Sequence, residues 1–343
     1  MSIRLNEARR AIVVYALALA FASMLNAEGI RKTAQTQPDG ARRELALHVT
    51  RPLVAFSRFL HLTTPRHELL TAIGREHEDE IDTEVHLAVP PLAPIAPHDR
   101  VPIGQTPSTP REAANPPTPR KPAFDAARPL KVWIAGDSLV QVPGQAIQRA
   151  AGPDAAVKVL GVESRLSTGL TRPDLYNWFV RFGEAISQLR PTVVVFSFGA
   201  DDAHDFMAGV PGGRKLGPLG SRSWNAEYKR RVDGVTREFN AAGIATVWLG
   251  LPIPSGTGYA RSFPVVNTIL RSVANAHPHT SRYVDTWHLL DSPRGKYTPY
   301  LRIGGKLTLL RASDGIHFTD AAGDLIALEV MEAFRELYDL PRP

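Results

Sequence analysis

Apolar and polar positions along this chain fall into four regimes. The first is Ala11–Ala27, seventeen residues without a charge, preceded by Arg4, Arg9 and Arg10. That length is short for a membrane-spanning helix and long for a signal-peptide core. The basic flank holds the amino end in the cytoplasm and sends the remainder outside. Residues 1–27 are therefore expected to be an uncleaved single-pass anchor, with cleavage after Ala20-Phe21-Ala22 and secretion as the alternative. The second regime, 28–88, predicts a helical juxtamembrane stalk. Pro52–Leu60 carries Leu53, Val54, Phe56 and Leu60 on one side, and Pro65–Ile73 carries Leu69, Leu70 and Ile73, with Thr64 as N-cap and Pro65 at the first helical position. The third, 89–129, holds twelve of the 29 prolines and few aromatics. It cannot bury enough surface to offset its ordering entropy, so an extended, unstructured linker reaching on the order of 100 Å is expected.

The fourth regime, 130–343, alternates strand and helix patterns. Strands are expected at Val132–Ala135, Val157–Val162, Thr192–Phe198, Ile244–Leu251 and Arg282–Asp285, and helices at Pro143–Ala151, Trp178–Leu189, Trp224–Ala242 and Phe263–Ala276. Leu301–Arg311, with Gly304-Gly305 at its middle, reads as a hairpin. Thr319–Leu340 reads as a closing helix capped by Thr319, with an apolar stripe through Leu325, Leu328, Met331 and Phe334. The fold class is α/β, a three-layer flavodoxin-like sandwich with a parallel sheet, behind the amino-terminal anchor and linker.

Candidate chemistry sits where the first strand and the hairpin end. Gly136-Asp137-Ser138-Leu139 follows the first strand and presents a serine hydroxyl at the carboxyl edge of the sheet, where open α/β folds place their sites. In Asp314-Gly315-Ile316-His317 an Asp three residues before a His lets its carboxylate fold back onto one imidazole nitrogen, leaving the other free to take the serine proton. Nucleophile, base and orienter are thus Ser138, His317 and Asp314. Two further blocks lie between them, Ser167-Thr168-Gly169-Leu170 and Gly199-Ala200-Asp201-Asp202.

The four blocks together resemble the SGNH (GDSL) hydrolase superfamily, most closely its membrane-anchored envelope branch of the domain-of-unknown-function-459 type. The resemblance runs from about Lys131 to Leu340 and includes Trp224-x-x-x-Tyr228-x-x-Arg231 and Leu310-Arg311-x-x-Asp314. It implies a serine esterase acting through an acyl-serine intermediate, with an oxyanion hole made by the amides of Ser138 and Gly169 and by the side chain of the third block. In the family that side chain is Asn. Here it is Asp201, and an ionised carboxylate cannot donate a hydrogen bond. Three readings stay open: Asp201 is protonated by burial beside Asp202, the site works slowly on two backbone donors, or the chemistry is lost and the pocket kept for binding. Asp137 and Asp202 read as supporting carboxylates.

Composition narrows the partners. Cysteine is absent, which excludes disulfides and thiolate chemistry. The net charge of +6 comes from scattered Arg with no recognition-helix pattern, so nucleic acid is not expected. No zinc-type motif is present, and neither a metal nor a cofactor is expected. Met207–Ser223, rich in Gly and Pro, reads either as a plain surface loop or as a mobile lid whose Arg214, Lys215 and Arg222 meet the substrate, with Trp224 as a sugar-stacking platform or a core residue. The expected activity is removal of acyl (acetyl) groups from an envelope polysaccharide or glycan, or turnover of a small ester. O-acyl transfer to a glycan and a catalytically impaired glycan-binding scaffold are the alternatives. Expected partners are the membrane, an acylated glycan, and a membrane acyltransferase.

Overall fold

The computed structural model describes residues 2–37, 41–73, 81–87 and 121–341, with side chains from Arg9 onward. The chain divides into two compact units, 1–83 with 174–176, and 84–173 with 177–343.

In the first unit the apolar run becomes α1 (Ser2–Leu25), followed by α2 (Ala27–Gln35), α3 (Ala41–Phe59) and α4 (Thr64–Ala72). Between Arg9 and Ala22 α1 is exposed all round, with Ile12, Tyr15, Leu17 and Leu19 among its uncovered side chains. No single helix among the described residues is long and apolar enough to cross a membrane. Arg9–Leu25 and Ala27–Gln35 meet the length and composition requirement together, but they are bent by 73°. α2 packs along α3, where Arg58 Nε donates to Glu28 Oε1 at 2.9 Å. Pro52 does not open a helix as its position suggested; it lies inside α3, which starts at Ala41. Proline lacks an N–H, which costs an interior helix one bond but a first turn nothing, so periodicity alone does not separate the two placements. α4 begins one residue earlier than expected. Thr64 is its first residue and Thr63 precedes it, without a side-chain cap bond.

The second unit is built on five parallel strands, β1 (Leu130–Gly136), β2 (Val157–Ser164), β3 (Val193–Ser197), β4 (Ala245–Leu249) and β5 (Ser281–Val284), in the order β2-β1-β3-β4-β5. The connecting helices are α5 (Gln141–Ala151), α6 (Trp178–Glu184), α7 (Arg222–Ala241) and α8 (Ser262–Ala276), followed by α9 (Thr286–Leu289), the hairpin β6 (Tyr300–Ile303)–β7 (Lys306–Leu309), and α10 (Asp320–Leu337). Parallel crossovers are right-handed, so the single reversal of direction after β2 puts α5 and α10 on one face and α6, α7 and α8 on the other. The contacts agree: α5 packs on α10, and α7 on α8. The result is the flavodoxin-like order with three layers.

Alternation along β1 fills both interfaces. Trp133 faces Phe182, Phe196 and Phe239, while Ile134 faces the α5 side at Gly144. Trp248 of β4 packs on Phe196 with the rings tilted by 45° and donates its indole N–H to Thr236 Oγ1 at 3.1 Å, which satisfies the one polar atom it buries. Residues 304 and 305, glycines at φ 56° and 83°, give the β6–β7 turn the positive dihedrals that a two-residue hairpin needs.

Three expectations change here. The predicted helix Trp178–Leu189 is α-helical only to Glu184 and ends in a π-helical turn, Ala185–Leu189, closed by Arg190 at φ 48°. The closing helix does not bury Leu328, which is 64% exposed; its inner face is Ala322, Ile326, Val330, Met331, Phe334 and Leu337. A stripe stepping by three drifts about 60° per step at 3.6 residues per turn, so the expected set could not share one face. The linker expected over 89–129 lies outside the described residues as far as 120, but its end is fixed. Phe124 N–H donates to Asp339 O at 3.1 Å, Asp339 N–H donates to Pro122 O at 2.9 Å, and the Phe124 ring meets Tyr338 edge-on.

Candidate active site

In the order β2-β1-β3 the chain reverses direction between β1 and β3, and the crevice at their carboxyl ends is where ligands bind in such sheets. β1 delivers Gly136, Asp137 and Ser138 there. Gly136 pairs with Ser197, and a side chain at 136 would collide with the Ser197 carbonyl, so only glycine lets β1 and β3 stay in register at this end. Ser138 opens a short 3-10 turn capped by Asp137, whose Oδ1 accepts the Leu139 amide at 2.9 Å. Asp137 Oδ2 accepts the amides of Gly199 and Ala200, each at 3.2 Å, which ties the serine turn to the loop after β3. Burial pushes the Asp137 carboxyl well above its ordinary range, helped by the charge of Asp201.

The loop after β7 brings His317 to this turn. Its Nδ1–H donates to Asp314 Oδ2 at 2.6 Å, leaving Nε2 to accept the Ser138 hydroxyl at 2.8 Å. Asp314 Oδ1 accepts the amides of Ile316 and His317 at 2.8 and 2.9 Å. Desolvation pushes the Asp314 carboxyl up, but the Ile316 amide and the His317 ring and amide outweigh it together and bring it to about 2. Asp314 is thus ionised at any working pH and holds the imidazole in one tautomer. The side chains of His317 and Asp314 are 42% and 48% exposed, so the pair opens to solvent.

Beneath this loop lies Arg311, which the sequence displays but to which it assigns no role. Its guanidinium is buried, donates to Gly315 O at 3.0 Å and Ile253 O at 3.1 Å, and sits over the rings of Tyr297 and Phe318. Burial pulls its pKa down to about 10, and Nε has no hydrogen-bond partner among the described residues. Gly315 at φ 70° is pressed against the Ser255 side chain, with the Ser255 amide donating to its carbonyl at 3.1 Å.

The second and third blocks meet on the other side. Gly169 lies so close to Asp202 that a side chain there would strike its carboxylate. Asp202 is fully buried and saturated: Oδ1 accepts the amide and hydroxyl of Thr171 at 2.7 and 2.8 Å, and Oδ2 accepts the Tyr228 hydroxyl at 2.9 Å. Arg231, fully buried on α7, donates to Leu170 O and Ala208 O, each at 2.6 Å, and to Glu227 Oε1 at 3.0 Å. Tyr228 and Arg231 are therefore struts for the loops around the site, two roles that no spacing rule assigns. Asp201 is half-buried, and Ser167 of the second block is held at φ 57°. Burial raises the Asp201 carboxyl to about 6, Asp202 adding to the rise and His317 opposing it.

The structure corrects the substrate-loop expectation in part. Trp224 is no stacking platform: it is fully buried, stacked on Tyr228, with its indole N–H donating to His204 O at 3.0 Å. Its place at the start of α7 turns its ring inward. Arg222 and Ser223 belong to α7, whose N-cap is Ser221. The base of the loop is pinned by Ala208 N–H to Thr171 O at 2.9 Å and Leu219 N–H to Asp205 Oδ1 at 2.8 Å. Lys215 and Arg222 are exposed and Arg214 half-buried. Among the described residues no hydrogen bond or ion pair joins these three cations to Ser138, His317 or Asp314.

Comparison with curated proteins finds no match. Among solved structures, the chain is similar to the lipase/acylhydrolase from Enterococcus faecalis, at 14% identity and TM-score 0.42, over 62% of this chain and 99% of that one. It is similar to a catalytic mutant of Axe2, an acetylxylan esterase from Geobacillus stearothermophilus, at 14% identity and TM-score 0.42, over 62% and 96%. A GDSL-like lipase from Bacteroides thetaiotaomicron matches at 14% identity and TM-score 0.41, over 60% and 88%. The model of the family described as protein of unknown function (DUF459) matches residues 131–333, and the chain belongs to that family, the one to which its four sequence blocks pointed.

Proposed function

We propose that this protein is a serine esterase that removes acyl groups, acetyl foremost, from a polysaccharide of the cell envelope. One observation carries the reading: the chain of contacts from Asp314 through His317 to Ser138, at 2.6 and 2.8 Å. The Ser138 Oγ attacks the ester carbonyl carbon while Nε2 of His317 takes its proton. The tetrahedral intermediate collapses as the imidazolium returns that proton to the departing alkoxide, leaving an acyl-serine. Water, deprotonated by His317, then releases the carboxylic acid and restores the hydroxyl. The amides of Ser138 and Gly169 supply two oxyanion donors.

The exposure of His317 supports two finer points. An open nucleophile reaches a short acyl group standing off a bulky polymer, whereas a long lipid chain needs an enclosed channel. Free access of water favours hydrolysis over transfer to a sugar hydroxyl. The location outside the cytoplasm rests on α1, whose uncovered apolar run from Ala11 follows Arg4, Arg9 and Arg10.

Labelling of the full chain by a fluorophosphonate tests the reading, with p-nitrophenyl acetate turnover and acetate release from acetylated glycans alongside. Labelling that is lost in Ser138→Ala and His317→Ala is expected, with kcat falling by about 10⁴–10⁶ in either variant. A folded protein that takes no label and turns over no ester would be a binding protein.

A further inference from the structure

The hairpin β6–β7 is a separate pair of strands outside the five-stranded sheet, and its register sorts its side chains onto two faces. Tyr300 lies opposite Leu309 and Arg302 opposite Leu307, so these four share one face, while Leu301, Ile303 and Thr308 are on the other. Those last three are half-buried. On the first face Tyr300, Leu307 and Leu309 are 46, 58 and 44% exposed, so three of its four positions are large, uncovered apolar side chains. Single exposed apolar residues are ordinary on a protein surface, but a contiguous set marks a binding surface. The charge around it has one sign. Between Asp291 and Asp314 the chain holds five basic residues and no acidic one. Arg311 is the buried member, whereas Arg294, Lys296, Arg302 and Lys306 are exposed, and among the described residues no ion pair neutralises these four. The flanking acids are already matched, Asp291 by His288 and Asp314 by His317.

We propose that the β6–β7 hairpin docks on an anionic lipid surface and holds the loop of His317 against it. An apolar face ringed by cations is complementary to a bilayer with negatively charged headgroups: Leu307, Leu309 and Tyr300 enter the interface and the basic side chains meet the phosphates. Two leucines are a poor surface for a glycan, whose hydroxyls would be buried there without hydrogen bonds. The chain also carries α1, with an apolar and uncovered run, as a separate element suited to lipid, and such a tether raises the concentration of bilayer that the hairpin meets. The base of the hairpin is bonded into the catalytic loop. Leu310 N–H donates to Pro299 O at 2.8 Å, Thr319 N–H to Leu310 O at 3.1 Å, and the Thr319 hydroxyl to Leu309 O at 2.8 Å. His317 lies two residues before Thr319, so a hairpin seated on lipid fixes the side from which the open site is approached. The inference shares with the reading above its placement at a membrane and does not depend on the ester chemistry.

Because the chain has no cysteine, Leu307→Cys and Lys229→Cys each give the full chain a single thiol for an environment-sensitive fluorophore, the second on α7 as a reference. Each labelled protein is reconstituted with vesicles of phosphatidylcholine alone and of phosphatidylcholine with phosphatidylglycerol, both carrying spin-labelled lipid as a quencher. Quenching at 307 and not at 229 is expected with phosphatidylglycerol, and its loss is expected with phosphatidylcholine alone or in about 1 M salt. Reversing three cations together, by Arg294→Glu, Lys296→Glu and Lys306→Glu in the 307-labelled chain, should weaken docking on the order of 10²-fold, from about fivefold for each basic residue. Arg302 stays in place because it closes the turn, donating to Gly305 O at 3.0 Å. Turnover of p-nitrophenyl acetate in solution should not change in the triple variant. A label at 307 that is unquenched in both vesicles, equal quenching at both sites, or quenching indifferent to the three reversals overturns the proposal. So does a blue shift at 307 that a soluble anionic polysaccharide, or the protein's own concentration, produces without vesicles, which would assign the face to a glycan or to a second copy. A full chain that stays off both kinds of vesicle overturns docking and anchoring together. A native chain that turns over no ester overturns the esterase reading alone, since the quenching still reports docking.

Discussion

The loop after β7 presents Asp314 to His317 and the loop after β3 carries Asp201, and the two carboxyls are driven in opposite directions. In the loop after β7, Asp314 collects two backbone amides and the imidazole N–H and is pulled to about 2. In the loop after β3, Asp201 has a half-buried setting and a neighbouring carboxylate, and is pushed to about 6. Burial is the largest contribution at Asp201, whereas at Asp314, nearly half exposed, the hydrogen-bond donors outweigh it. One fold thus holds two aspartates of opposite proton affinity in the loops that end at the site.

The same substitution should therefore have opposite signs in the two loops. Asp314→Asn leaves a hydrogen bond to the ring but favours the wrong tautomer, and kcat is expected to fall about 10⁴-fold at every pH, measured on p-nitrophenyl acetate. Asp201→Asn should raise activity above neutrality. If Asp314→Asn kept most of the activity, the contrast between the loops would have no catalytic meaning. Next in size is Arg311→Met, which keeps the volume between Tyr297 and Phe318 but removes both carbonyl bonds. Displacement of the 312–317 loop by a fraction of an ångström should cost about 10²-fold in kcat with KM little changed. A loss confined to KM would mean that Arg311 shapes the binding surface instead.

The smallest effect is on stability. A carboxyl raised in the folded state favours folding at low pH relative to neutrality. Its penalty is absent below the ordinary carboxylate value and complete above about 6. Asp201→Asn should thus raise the melting temperature at pH 8, by the equivalent of on the order of 1 kcal/mol after solvent screening, and leave it unchanged near pH 4. For Asp314 the sign reverses. Its contribution is present above the ordinary carboxylate value and disappears as the pH falls through about 2, and its exposure keeps it small.

Much of this was legible in the chain itself. Five apolar runs separated by amphipathic stretches specify a parallel α/β sheet, because each strand buried on both faces must be apolar throughout and each covering helix on one side only. Ser138, Asp314 and His317 were legible because Gly-Asp-Ser after a strand and Asp-x-x-His after a hairpin constrain geometry locally. The hydrogen bonds within 314–317 span at most three residues. The departure at Asp201 was also visible as a residue type. Its consequence was not, because the protonation of a carboxyl depends on what surrounds it in space. Asp202 meets Thr171 and Tyr228, and Arg311 meets Ile253, across separations of 31, 26 and 58 residues. Trp224 shows the same division from the other side. An aromatic beside a glycine-rich loop suggests a platform, yet helix phase turned it into the core. Local pattern decided which elements form and which groups carry chemistry, since both depend on neighbours a few residues away. Burial, proton affinity and the struts beneath each loop were decided by the tertiary structure, since they depend on contacts that exist only once the sheet has assembled.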